Sequence, residues 1–210
     1  MSMKKFIEKI GQYKLLDLLK IITRRLLKTY CYKMHYLALD IDIDDIRQRL
    51  SVIDLPVREL QYEDFLHGNP SFFTSSKLEG VKQRLTDGQH KAYGIIDDDK
   101  LIYSTWIGLE QLSLPVKSNH KLAKNEGLLE DSYCDVSARG KGLHYQMNIF
   151  RVNELYKFGK NRVIAIVMSG NQPAFKVQYK TGFHECGTFY CGEIFGIAFS
   201  TLNKSKYENR

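Results

Sequence analysis

Leu15, Leu18, Leu19, Ile22 and Leu26 recur at i, i+3, i+4, i+7 and i+11, the spacing of one face of an α-helix. The segment predicts an amphipathic helix over residues 1–34, ahead of a domain over 35–210. Residues 36–43 read as a short strand that becomes acidic at its end, and residues 56–61 as a second strand. A weak helical pattern follows around 77–85. Residues 92–96 and 101–107 are rich in β-formers and flank Asp97-Asp98-Asp99-Lys100. Two such runs about a short acidic turn predict a hairpin. Residues 111–126 are polar, contain Pro115, and read as a loop.

The pattern is sharper in the second half. Residues 128–136 predict a strand, followed by a glycine-bearing loop and a helix to about Phe158. Tyr145, Ile149, Val152 and Tyr156 form one stripe of that helix, and Gly159 stands where a left-handed cap is expected. Residues 163–168 are continuously apolar, as in a strand buried on both faces. Asn171 and Pro173 open a short helix, and Gly182 closes it. Residues 183–190 and 193–200 predict two closing strands. The order hairpin, strand, helix, strand, helix, strand, strand gives an α/β fold. We expect a mixed, mostly antiparallel sheet of about seven strands with helices on both faces.

Charge changes the picture at one end only. The chain of 210 residues has net charge +7, and residues 1–30 carry net +6 of it, leaving +1 for the rest. The folded domain is therefore near neutral, which argues against a nucleic-acid partner. The basic segment lacks the roughly 20 consecutive apolar residues of a spanning helix. Its charge and leucine stripe instead suit the cytoplasmic face of an anionic membrane, through residues 4–28. The four cysteines, Cys31, Cys134, Cys186 and Cys191, show no zinc-like or CxxC spacing. They read as reduced thiols of a cytoplasmic protein, and no metal site is expected.

Two segments carry candidate chemistry. The first is Arg139-Gly140-Lys141-Gly142 between a strand and a helix. Glycines permit a sharp turn and close approach of a ligand, and the helix start offers free N–H groups to phosphate. The spacing fits neither a Rossmann nor a Walker fingerprint. The second is Asn171-Gln172-Pro173-Ala174, followed by Tyr179 and Gly182-Phe183. Alone, each segment is weak evidence. Together they resemble the GNAT superfamily of acetyltransferases. Its acetyl-CoA motif, Arg/Gln-x-x-Gly-x-Gly/Ala, is similar to Arg139 through His144, and its later Asn, Tyr and Gly-Phe are similar to Asn171, Tyr179 and Gly182-Phe183. The resemblance covers about residues 90–200, and more weakly 36–90. It looks closest to GNAT proteins found with bacterial surface-polysaccharide genes. Two positions depart from the pattern: His144 stands where Gly or Ala is usual, and Val136 where Pro is common.

The resemblance implies acetyl transfer from acetyl-CoA to a primary amine of a small molecule, such as an amino sugar or sugar nucleotide. It implies cofactor contacts from Cys134, Asp135, Val136, Arg139, Gly140, Lys141, Gly142, Leu143, His144, Asn171, Ala174 and Tyr179. Tyr179 would protonate the departing thiolate, and backbone N–H near 133–135 would hold the oxyanion. An alkyl amine with pKa near ~10.4 must lose a proton before attack. Asp131 is the favoured base and Glu130 the alternative, because neighbours on a strand point to opposite faces and Asp131 would share a face with Tyr133 and Asp135. Other readings are an acyl-carrier-protein or longer acyl-CoA donor, and a CoA-binding module without catalysis. A homodimer fits any of these.

Overall fold

The computed structural model describes residues 29–112, 114–115 and 120–204. The expected basic helix over 4–28 lies outside the described residues. The sheet begins earlier than the pattern suggested: β1 spans Tyr30–Asp40, so residues 30–34 belong to a strand rather than to the N-terminal helix. Where residues 41–43 were expected to continue that strand, the chain turns into α1 (Ile43–Leu50). Asp42 caps it, its carboxylate accepting from the backbone N–H of Asp44 and Asp45. Then come β2 (Arg58–Glu59), α2 (Tyr62–Leu66), α3 (Ser75–Thr86), β3 (His90–Asp97) and β4 (Lys100–Gly108). The β3–β4 turn is the expected one. Asp98 and Asp99 both adopt positive φ, the twist a two-residue hairpin favours.

After the 109–125 loop the chain forms β5 (Glu126–Cys134), a 3₁₀ turn (Val136–Ala138), α4 (Leu143–Lys157), β6 (Arg162–Met168), α5 (Gln172–Thr181), β7 (His184–Ile194) and β8 (Ile197–Lys204). These strands make one sheet in the order β2-β3-β4-β5-β6-β1-β7-β8. The sheet has eight strands, one more than the expected seven, and β1 lies between β6 and β7, antiparallel to both. Only β5 and β6 run parallel, with α4 as their crossover.

Helices cover both faces. On one, α4, α1 and α5 bury Met147, Ile149, Val152, Leu155, Ile46 and Phe175 against Ile107, Leu129, Val163 and Ala165. On the other, α2 and α3 bury Phe65 and Val81 against Leu101, Trp106 and Tyr133. Beyond them on that face, Leu112, Leu114 and Leu122 of the 109–125 loop cover Leu128, Ile164 and Phe189. Among the described residues no helix is long and apolar enough to cross a membrane.

Candidate active site

The site starts with a fault in β5. Thr105 of β4 pairs with Ser132 and Trp106 with Glu130, so Asp131 is an extra residue with no partner on β4. Its φ is +23°, rare for a residue with a side chain. Such a bulge bends its strand and interrupts the ladder. On the other side, the parallel register with β6 runs only from Glu126↔Arg162 to Leu129↔Ala165. Past that point β5 and β6 part, and a cleft of about 390 Å³ opens between them. Leu129, Glu130, Asp131 and Ser132 line one wall, and Ala165 through Met168 the other; His144, Arg151, Asn171, Ala174 and Gln178 complete it.

Arg151 holds the bulge in place. Its guanidinium is 1% exposed and donates to the carbonyls of Glu130 (2.9 Å) and Trp106 (3.2 Å) and to the side-chain oxygen of Asn148. Asn148 in turn donates to Gln178 Oε1 (3.2 Å) and Thr181 Oγ1 (3.3 Å). A polar chain thus ties β5 to α4 and α4 to α5 beneath the cleft. Burial lowers the Arg151 pKa to about 10, so it stays charged at neutral pH.

The bulge overturns the expected alternation. Glu130 and Asp131 both reach α3 on the Tyr133 face. Glu130 is buried, its carboxylate bound by Arg84 of α3, whose guanidinium lies 4.3 Å over Trp106 in the Tyr133 cluster. Gly108 leaves room for it, since a Cβ there would come within 2.9 Å of Glu130 Oε1. Asp131 is more open and bridges Lys77 at 3.2 Å and Arg84 at 3.5 Å. Both carboxylates lie along the cleft wall, and both are ion-paired.

The loop after β5 is anchored by Asp135. Its buried carboxylate accepts from Ser137 Oγ (2.6 Å), Lys100 Nζ (2.9 Å), Ser137 N (3.0 Å) and Tyr133 Oη (2.9 Å). These bonds, those of Ser137 and Lys100 foremost, hold its pKa far below the usual carboxylate range. The Asp135 N–H is taken by the Ile102 carbonyl at 2.9 Å. That amide is not available for an oxyanion; the divergence of β5 from β6 begins at Glu130, nearer the bulge. Cys134 is half-buried, and burial raises its thiol pKa.

Gly140 and Gly142 have φ of +79° and +74°, and Gly142 is the residue before α4 with no side chain capping it. At the start of α4 the N–H groups of Leu143 and His144 have no helical acceptor, whereas those of Tyr145 and Gln146 bond the Gly142 carbonyl. Arg139 donates from Nε to the Cys134 carbonyl at 3.2 Å. The Arg139, Lys141 and Val136 side chains are exposed around the loop, whereas Leu143 faces the core. Asn171 caps α5, its side chain accepting from Ala174 N, and both residues line the cleft.

Tyr179, expected at the cofactor, is not brought to the cleft. It is 49% exposed, stacks on Phe175 with ring centroids 6.0 Å apart, and does not line the cleft. Asn171, Ala174 and Gln178 fall at i, i+3 and i+7 on the cleft side of α5; Tyr179 is one residue, about 100°, further round. The residues that sequence reasoning missed are Gln178, Arg151 and Ser132. Gln178 was legible from helical spacing after Asn171, but the buried Arg151 gave no local signal.

No protein-family model matches the chain, and no curated protein matches it in sequence. Solved structures do match. A GNAT-family protein from Novosphingobium aromaticivorans aligns over 84% of this chain and 66% of its own, with 15% identity and a TM-score of 0.52. An acetyltransferase from the GNAT family of Colwellia psychrerythraea aligns over 85% and 58%, at 10% identity and TM-score 0.54. The chain has the GNAT fold. A functionally unknown conserved protein from Staphylococcus epidermidis is similar as well, over 85% and 66%, at 13% identity and TM-score 0.55. The chain therefore spans between 58% and 66% of the length of these three structures.

Proposed function

We propose that this chain transfers the acetyl group of acetyl-CoA to the primary amine of a small molecule. The observation that carries this reading is the coincidence of three features at one place: the cleft where β5 leaves β6, the left-handed Gly140–Gly142 turn, and the uncapped start of α4. A thioester arm fits between diverging strands. A pyrophosphate fits the first N–H groups of α4, with Arg139 and Lys141 beside it. The GNAT fold of the structural neighbours and the sequence resemblance both support the donor.

In this reading the acceptor approaches from the α3 side of β5. The amine proton passes to water beside Asp131, the more exposed of the two carboxylates on the cleft wall. Glu130 serves to hold Arg84 and the bulge. Tyr179, outside the cleft, has no part in proton transfer. An amino sugar or sugar nucleotide is the acceptor class we favour, from the sequence resemblance and from Lys77 and Arg84 flanking Asp131, which suit an anionic substituent.

Thiol release from acetyl-CoA, followed across amino sugars, their phosphates and simple polyamines, tests the proposal. Acceptor-dependent release supports it. Tight acetyl-CoA binding with no release on any amine would leave a CoA-binding module instead.

A further inference from the structure

The side chain at position 144 points to chemistry that the loop pattern does not supply. Its imidazole lines the cleft, and Nδ1 lies 2.8 Å from the Tyr103 hydroxyl. Tyr103 is fully buried on β4, so its hydroxyl proton needs an acceptor, and Nδ1 stands in reach to take it. A ring whose Nδ1 accepts must carry its own proton on Nε2. Burial, with the Arg151 charge second, lowers the His144 pKa to about 4, so the ring is neutral at pH 7. Most other polar groups of the cleft are held by internal bonds: the Arg151 Nη atoms by two carbonyls and Asn148, Glu130 and Asp131 by Arg84 and Lys77, and the Asn171 oxygen by Ala174 N, while Arg151 Nε is buried without a partner among the described residues.

We propose that His144 is the neutral electrophile of this cleft: Tyr103 fixes its Nε2–H tautomer, and that N–H bonds the acyl carbonyl of the bound thioester. This rests on the acetyl-transfer reading above. When the amine nitrogen forms its bond to the carbonyl carbon, the C=O π pair moves to oxygen, and Nε2–H holds the oxyanion. As the oxyanion collapses the C–S bond breaks and its pair leaves with sulfur. The amine proton goes to water, and the thiolate takes a proton from solvent. His144 neither gains nor loses a proton, so its low basicity costs nothing. A fixed neutral donor aimed at developing charge needs no reorganisation.

The test uses the full-length protein, ¹⁵N-labelled at histidine. The imidazole signals of His144, assigned by their loss in His144→Gln, should report the Nε2–H tautomer. Tyr103→Phe should shift them toward a tautomer mixture, and acetyl-CoA should move them. With the best acceptor amine from the panel above, His144→Ala should lower kcat by ~10²-fold and change the KM for acetyl-CoA by only a few-fold. His144→Gln keeps an N–H donor and should recover part of the loss. An Nδ1–H tautomer, acetyl-CoA binding that leaves the signals in place, or unchanged kcat in His144→Ala would each overturn the assignment. Absence of acetyl-CoA binding with the Nε2–H tautomer intact would instead overturn the acetyl-transfer reading, and with it the carbonyl contact.

Discussion

The two halves of the β5–β6 seam differ sharply. From Glu126 to Leu129 the strands are in strict parallel register, and Leu128, Leu129, Val163, Ile164 and Ala165 are buried. From Glu130 onward the same two strands share no register, and the β5 wall turns polar while the β6 wall stays apolar. No loop or domain boundary separates the halves. One extra residue, Asp131, does. Continuous pairing satisfies every backbone group and leaves nothing to a ligand. The bulge frees part of a wall, and its cost must be met by partners beneath it. Arg151 takes up the displaced Glu130 carbonyl, so the buried arginine is best understood as the support of the open half.

The largest effect should come from breaking that support. Arg151→Met keeps the volume but leaves the Glu130 and Trp106 carbonyls buried without donors. We expect a loss of about 3–5 kcal/mol in urea unfolding. A loss under 1 kcal/mol would mean that the bulge holds without it. The next effect is on ligand rather than fold. Gly142→Val forces a β-branched residue to φ +74°, although the nearest side-chain atom to a Cβ there is 3.7 Å away. Backbone conformation, not space, is the obstacle. Acetyl-CoA affinity should fall at least ~100-fold, measured by calorimetry, because the turn that presents the α4 N–H groups is lost.

A third prediction uses pH. The His144 pKa drops from its usual value near 6.5 to about 4 on folding. The unfolded state therefore binds more protons between these values, so stability is fully present above about pH 6.5 and falls as pH drops toward 4. The loss from this group is on the order of 3 kcal/mol. His144→Gln should flatten unfolding free energy across that window, whereas the Asp135 contribution is lost only below it, as pH falls beneath the ordinary carboxylate range. An unchanged slope in His144→Gln would show that the ring is solvated.

These contrasts bear on what the sequence could tell. The strand–helix order from residue 90 on was legible because its signals are local: Asp98-Asp99 for the hairpin, Gly159 and Gly182 for helix ends, and Pro173 for a start. The glycine loop was legible for the same reason. α1 was not anticipated, and its first residue was read as the end of a strand, although Asp42 followed by Asp44 and Asp45 is an acidic helix start. Strict alternation could not separate Glu130 from Asp131, because it assumes an unbroken strand, and the bulge depends on β4 register and on Arg151, twenty residues away. Tyr179 was misplaced by one position because matching a motif residue by type ignores which side of the helix it occupies.

The seam comparison can be sharpened at the two carboxylates. Glu130→Gln should destabilise by about 2 kcal/mol, since it leaves Arg84 against Trp106 with only its longer contact to Asp131. Asp131→Asn, at an exposed pair, should cost under about 0.5 kcal/mol and act instead on turnover. Reversed rankings in thermal unfolding would put the structural load on the bulged residue. The smallest expected effect is that of Tyr179→Phe: it should leave kcat unchanged. A drop of ten-fold or more would return the tyrosine to the mechanism.

The most direct test of the account is calorimetric titration of the full-length protein with acetyl-CoA, run beside Gly142→Val and Tyr179→Phe. The account predicts one site in the native protein and in Tyr179→Phe, and none detectable in Gly142→Val. No binding by the native protein, or equal binding by Gly142→Val, would contradict it.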